Sequence, residues 1–198
     1  MSGEQRPGTP LAVALVHHPV LDRTGQVVTT AFTSLDLHDI ARICRTYDVG
    51  PYYLVTPVTA QREMIERILA HWVTGEGYKE RHPRVPAMAG VRTAPSLEAA
   101  VADFEGVWGR RPLQVVTSAR GEGDLTTFGE MRRRLTEETD RSWMLVLGTG
   151  WGLAPEVLAG GDVRLEPIRG RARFHHLPVR AALAPIHHQK KARTSLSP

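Results

Sequence analysis

Cysteine is almost missing from this 198-residue chain, where Cys44 stands alone. One thiol allows no internal disulfide and no cysteine-based zinc site, and it gives no reason to expect an oxidising compartment. No apolar run approaches the roughly 18 residues that a membrane span needs. The opening MSGEQRPGTP also lacks the apolar stretch of a signal peptide. These absences predict a soluble, cytoplasmic protein with no membrane partner. Lysine is scarce too, at three residues against twenty-two arginines. Arginine is the better bidentate phosphate ligand, although a codon bias produces the same skew. The net charge of +4 permits a nucleic-acid partner without demanding one.

What is present describes an ordinary globular domain. Hydrophobic residues make up 41% of the chain and charged residues 23%, close to the usual balance. A domain of this size buries roughly 70% of its unfolded surface and needs no metal staple. Residues 1–10 read as a disordered arm, 11–188 as a single domain, and 189–198 as a disordered basic tail.

Leu11 to Val16, Tyr52 to Val55, Leu113 to Thr117 and Trp143 to Leu147 are short apolar runs, read as buried strands. Met88 to Thr93 and Val163 to Leu165 are weaker strand candidates. Ser34 or Asp36 is a candidate cap for a helix to about Tyr47, with Leu37, Ile40, Ala41 and Cys44 on its apolar face. Pro57 opens a second helix, with Met64, Ile65, Ile68, Leu69 and Trp72 on one side. Gly75 to Pro86 reads as a long surface loop. Ser96 caps a helix to about Phe104, supported by Glu98 and Asp103. Further helices are expected over Thr126 to Glu138, Leu153 to Leu158, and from Pro178 to about Leu183, where Pro185 should break the last one. Strands alternating with helices predict an α/β fold: a mostly parallel sheet with helices on both faces.

The strongest local signal is LGTGWGL, Leu147 to Leu153, between the most apolar strand and a helix. Its three glycines allow a tight turn or close backbone approach to a ligand. The spacing is GxGxG rather than the dinucleotide GxGxxG, and it comes too late in the chain for a Rossmann unit. No Gly-Lys-Ser/Thr follows, so it is no P-loop. LEPIRG, Leu165 to Gly170, is a second shaped turn, in which Glu166 either accepts bonds from a ligand or faces solvent. FHHLPVRA, Phe174 to Ala181, opens the last helix, whose free N–H groups suit a small ligand. Three such turns in the last third suggest one composite pocket. Histidines fall in three adjacent pairs, 17–18, 175–176 and 187–188. No acidic partner sits at ligand spacing, so no metal is expected.

In this order the segments resemble the SPOUT class of S-adenosylmethionine-dependent RNA methyltransferases, the α/β-knot fold. The likeness is closest to a small bacterial stand-alone group. It rests on six blocks: Ala14 to Val20, Asp36 to Arg42, Thr117 to Arg120, Gly148 to Leu153, Glu166 to Gly170, and His176 to Arg180. The resemblance implies a C-terminal deep trefoil knot, a homodimer, and an RNA site built across its interface, with tRNA or rRNA as substrate. It implies S-adenosylmethionine as cofactor, held by Thr117, Ser118, Ala119 and Arg120, and by Leu147, Gly148, Thr149, Gly150, Trp151, Gly152 and Leu153. It adds Glu166, Pro167, Ile168, Gly170, His176, Leu177 and Val179 to that set. Arg42 aligns with an arginine that assists at the acceptor in the ribose 2′-O subclass. The asparagine usual ahead of it is absent, and Asp36, His38 and Asp39 occupy the region, with His38 or Asp39 as candidate bases. The acceptor is therefore a ribose 2′-oxygen or a base nitrogen. Arg45, Arg169, Arg171 and Arg173 are candidate phosphate contacts. The alternative is a catalytically inactive knotted module that binds RNA or the cofactor.

Overall fold

The computed structural model describes residues 10–79, 82–121, 123–171 and 177–188. The expected tail, and all of the expected arm but Pro10, lie outside them. The strands are β1 (Leu11–Val16), β2 (Val20–Leu21), β3 (Val27–Val28), β4 (Tyr52–Val55), β5 (Val91–Ala94), β6 (Leu113–Thr117), β7 (Trp143–Gly148) and β8 (Val163–Leu165). The helices are α1 (Ser34–Thr46), α2 (Thr59–Val73), α3 (Glu76–Lys79), α4 (Val85–Met88), α5 (Leu97–Trp108), α6 (Phe128–Glu137), α7 (Pro155–Ala159) and α8 (Val179–His188).

Six strands form one sheet in the order β5-β4-β1-β7-β6-β8, and every pairing in it is parallel. β1 and β7 are central. They pair from Leu11↔Trp143 to Val16↔Gly148, and all of β1 is buried. A central parallel strand is covered on both faces, which is why LAVALV and WMLVL are unbroken apolar runs. Successive side chains still alternate between faces. Leu11, Val13 and Leu15 join a core with Ile40, Leu54, Ile65, Trp143 and Leu183. Ala12, Ala14 and Val16 join a second core with Tyr53, Phe104, Met144 and Val157. Helices α1, α2, α6 and α8 thus cover one face, and α5 and α7 the other.

Several element boundaries differ from expectation for identifiable reasons. The cap of α1 is Thr33, not Ser34 or Asp36. Its hydroxyl accepts the Asp36 N–H at 3.2 Å, and the Asp36 carboxylate accepts the Thr33 N–H at 3.3 Å. That reciprocal pair is a capping box, with Asp36 as its third-position acid. Pro57 precedes the cap Val58 of α2, and Met64 is half-exposed rather than on the buried side. The stretch read as a loop contains α3 and the start of α4, whose buried Ala87 and Met88 lie past it, so the strand expected from Met88 begins only at Val91. Helix α5 continues past Phe104 to Trp108 and ends at Gly109, whose φ of 69° is left-handed. Asp103 does not support the start of that helix. It binds Arg92 and the Tyr53 hydroxyl, each at 2.6 Å. Pro185 does not stop α8, which runs on to His188. Buried Leu183 and packed Val179 hold the turns ahead of it, and the helix continues with one backbone donor fewer. Among the described residues no helix is long and apolar enough to cross a membrane.

Candidate active site

The carboxyl ends of β6, β7 and β8 lie side by side, and in open parallel sheets ligands bind outside such ends. A cavity of about 880 Å³ opens there. Its wall comes from four separate stretches: Thr117–Arg120 after β6, Leu147–Gly152 after β7, Leu165–Ile168 after β8, and Leu177–Arg180 with Ala182 at α8. A fifth stretch, Thr30, Ala31, Thr33 and Asp36, closes the side toward α1, and Phe128 adds to the floor.

The turn after β7 is tight because it doubles back on itself and on β2. Trp151 N–H donates to the Leu21 carbonyl, and Leu21 N–H donates to the Gly152 carbonyl, both at 2.9 Å. A Cβ at Gly148 would sit 2.6 Å from the Leu153 nitrogen. One at Gly150, where φ is +58°, would sit 2.8 Å from the Leu21 oxygen. Packing of the chain against itself therefore demands these two glycines, ahead of any ligand.

Several polar groups of the wall are already committed. Glu166 is anchored within the protein: its Oε1 accepts the Phe128 N–H at 2.6 Å, satisfying a free donor at the start of α6. The Thr117 hydroxyl donates to the Val146 carbonyl at 3.1 Å. Thr30 and Thr149 hydroxyls meet at 2.5 Å, and behind them lies His17, fully buried, with Nδ1 3.0 Å from Thr30 Oγ1. Burial lowers the His17 imidazole to about 4, against the opposing charge of Asp36. The neutral ring is the state at physiological pH.

The expected site residues divide. Thr117 through Arg120, Leu147 through Gly152, Glu166, Pro167, Ile168, Leu177 and Val179 all line the cavity. Leu153 does not. It is buried in the second core and bridges to Val20. Gly170 lies outside the lining, and His176 and Arg173 lie outside the described residues. Arg42 is exposed and also outside the lining. His38 points elsewhere: its ring meets Trp72 edge-on at 5.7 Å, and its Nδ1 is buried without a partner. Burial lowers its pKa first, the Arg84 charge adds to this, and Asp39 opposes it. Asp39 sits 3.5 Å from Arg180, which does face the cavity. Arg45 is exposed near Asp48, and Arg169 and Arg171 are exposed beyond the third turn.

Sequence reasoning missed Thr30, Ala31, Thr33, Phe128 and Ala182, and it quoted Asp36 and Arg180 without placing them in the pocket. Only the Thr33–Asp36 spacing carried a signal, that of a capping box. Thr30 reaches the wall through long-range bonds: its N–H donates to the His17 carbonyl at 2.9 Å, and the nearby Phe32 N–H donates to Gln61 Oε1 at 3.0 Å.

A parallel α/β sheet with one cavity at the ends of three adjacent strands is a cofactor-binding architecture of the nucleotide type. Residues 10–187 match the model of a family described as SAM-dependent RNA methyltransferase, SAM being S-adenosylmethionine, and the chain belongs to that family. An uncharacterised protein of Aquifex aeolicus is 40% identical over 174 residues, covering 88% of this chain and 84% of that one. A tRNA (guanine-N(1)-)-methyltransferase of Oleidesulfovibrio alaskensis is 42% identical over 182 residues. That match covers 92% of this chain, which spans only 42% of the relative's length. The solved TrmH/SpoU tRNA-modifying enzyme of A. aeolicus shares the fold, with a TM-score of 0.51 at 16% identity over 92% of this chain and 74% of that one.

The cavity's residues fit the family's cofactor. Its volume lies within the range of about 300–1,000 Å³ usual for small-molecule sites. At Gly152, φ is +108° and an added Cβ would meet no atom within 4 Å, so a ligand has room to approach the chain closely there. The Asp36 carboxylate on the wall complements a cationic sulfonium.

Proposed function

We propose that this chain transfers a methyl group from S-adenosylmethionine to a tRNA nucleotide, at a ribose 2′-oxygen or a base nitrogen. One observation carries the reading: stretches scattered from Thr30 to Ala182 converge on a single cavity at the strand ends. Family membership supplies the cofactor, and the Oleidesulfovibrio relative, a tRNA methyltransferase, supports tRNA as the RNA.

When bound, S-adenosylmethionine supplies an electrophilic methyl carbon on a sulfonium. The turns after β6, β7 and β8 hold it, and the open side of Gly152 lets it approach the chain closely. Asp36 faces the same space with one carboxylate oxygen engaged by Thr33, at 2.7 Å from its hydroxyl. We assign to Asp36 the proton that the acceptor O–H or N–H gives up. Arg180, oriented by Asp39, fixes an anionic group at the cavity. His38, turned to Trp72, takes no part in this chemistry.

The finer fold features follow the same reading. The deep trefoil knot implied by the SPOUT resemblance belongs to the same reading, and the packing of α8 on α1 supports it. A homodimer completes the RNA site. Arg42 is exposed outside its own chain's cavity and serves a nucleotide bound across the interface. Arg45, Arg169, Arg171 and Arg173 contact phosphates.

Titration calorimetry with S-adenosylmethionine, and with NAD and ATP as controls, tests the cavity. Incubation with isotope-labelled cofactor and unmodified tRNA, followed by nucleoside mass spectrometry, tests the reaction. Selective cofactor binding with a labelled tRNA nucleoside is expected. Label in rRNA alone would refute the tRNA assignment, and binding without transfer to any RNA would leave the inactive module.

A further inference from the structure

His17 is a buried titratable group that this chemistry does not use. It directly follows β1, is fully buried, and its Nε2 has no hydrogen-bond partner. Its Nδ1 lies 3.0 Å from Thr30 Oγ1, which lies 2.5 Å from Thr149 Oγ1. The Thr149 hydroxyl donates to the Val16 carbonyl at 3.1 Å.

Each hydroxyl has one proton to give. Thr149 reaches the Val16 carbonyl at 3.1 Å, a shorter bond than the 3.5 Å from Thr30 Oγ1 to the His17 carbonyl, so we take Thr149 to donate to Val16, Thr30 to donate to Thr149, and the Thr30 oxygen to accept from His17 Nδ1–H. The reverse direction would put the ring proton on Nε2, as a buried N–H with no acceptor. That defect is rarer than an unpaired acceptor. The bonds therefore run from His17 through Thr30 and Thr149 to Val16. They start and finish on adjacent residues at the end of β1, and in between they tie the loop before α1 to the turn after β7. Both of these loops are cavity wall.

We propose that His17 is a positioning residue for the cofactor: its Nδ1–H orients Thr30 and Thr149 so that both hydroxyls offer the cavity only lone pairs, and it holds the two loops in register for binding. A ligand group seated on this wall is then a donor, such as a hydroxyl or an ammonium, and S-adenosylmethionine has both. The inference rests on the cofactor reading of the cavity.

The test compares His17→Phe with His17→Asn by cofactor calorimetry and thermal melting. Phenylalanine keeps a ring but removes the donor and the unpaired Nε2. Asparagine places an amide N–H close to where Nδ1–H was. His17→Phe is expected to weaken S-adenosylmethionine binding about tenfold, as for one lost hydrogen bond, with Tm held. His17→Asn is expected to stay near the wild type in affinity. Wild-type affinity in His17→Phe, or an equal loss in His17→Asn, overturns the proposal. Should His17→Phe fail to fold, the half-buried Thr30→Val breaks the same links: a similar loss supports the proposal, and wild-type affinity overturns it. Wild-type protein that binds no cofactor would overturn the cavity reading itself, a result distinct from either variant outcome.

Discussion

Helix α1 has two working sides, and they serve different spaces. On one side Asp36 lines the cavity, and Asp39 orients Arg180, which lines it too. On the other, His38 packs on Trp72, which also meets His71 at 5.2 Å, His82 at 5.0 Å and Arg84 at 5.7 Å. The candidates Asp36, His38 and Asp39 lie within four consecutive residues, yet a helix turns by about 100° per residue, so Asp36 and Asp39, three apart, share a side and His38 does not. The first side holds charge against an open cavity. The second closes an aromatic corner over α2 and α4. Adjacency in sequence is therefore a poor guide to shared chemistry on a helix.

The sharpest way to break this comparison is Asp36→Asn. On the cavity side it should lower turnover by about 10²–10⁴, the usual worth of a positioned base, with a smaller loss of affinity for the cationic cofactor. Single-turnover methylation against calorimetry reads the two separately. Unchanged turnover would move the base elsewhere. Next in size is the pH dependence of stability from His17, just behind the same side. Its unfolded ring binds a proton near 6.5 and the folded ring only near 4, so between those values the unfolded state holds more protons. Stability should fall as pH drops through that window, by about 3 kcal/mol in full, and His17→Asn should flatten the slope in denaturant melts.

Trp72→Ala probes the opposite side. Loss of a partly buried aromatic should cost about 2 kcal/mol, seen as a lower urea midpoint, while cofactor affinity of the folded protein holds. A selective loss of cofactor binding would erase the distinction between the two sides. The smallest effect belongs to the Asp39–Arg180 pair, in which both side chains are 38% exposed. A double-mutant cycle on stability should give about 0.2–1 kcal/mol. Its larger consequence should appear in the KM for RNA, because Arg180 faces the cavity.

Legibility in the sequence followed the physics of each signal. The parallel sheet was readable because β1 and β7 are unbroken apolar runs, which only doubly covered strands require. The turns after β7 and β8 were readable through their glycines and prolines. Leu153 was misplaced because it continues a motif while its side chain turns into the core. Glu166 was left open because its partner, the Phe128 N–H, is 38 residues away in the chain. The cap of α1 was misplaced, by one residue at Ser34 and by three at Asp36, because both are as good caps as Thr33 until the reciprocal bonds are seen.

By itself the sequence determined the α/β class, the positions of the four clear sheet strands, the absence of an internal disulfide and three of the cavity's turns, since these depend on local pattern and backbone freedom. Only the tertiary structure decided which polar side chains face the cavity. Thr30, Asp36 and Arg180 arrive there from separate elements, and His17 is aligned by a bond chain that spans over a hundred residues. Such placements depend on long-range packing and on satisfying buried donors, which no local pattern encodes.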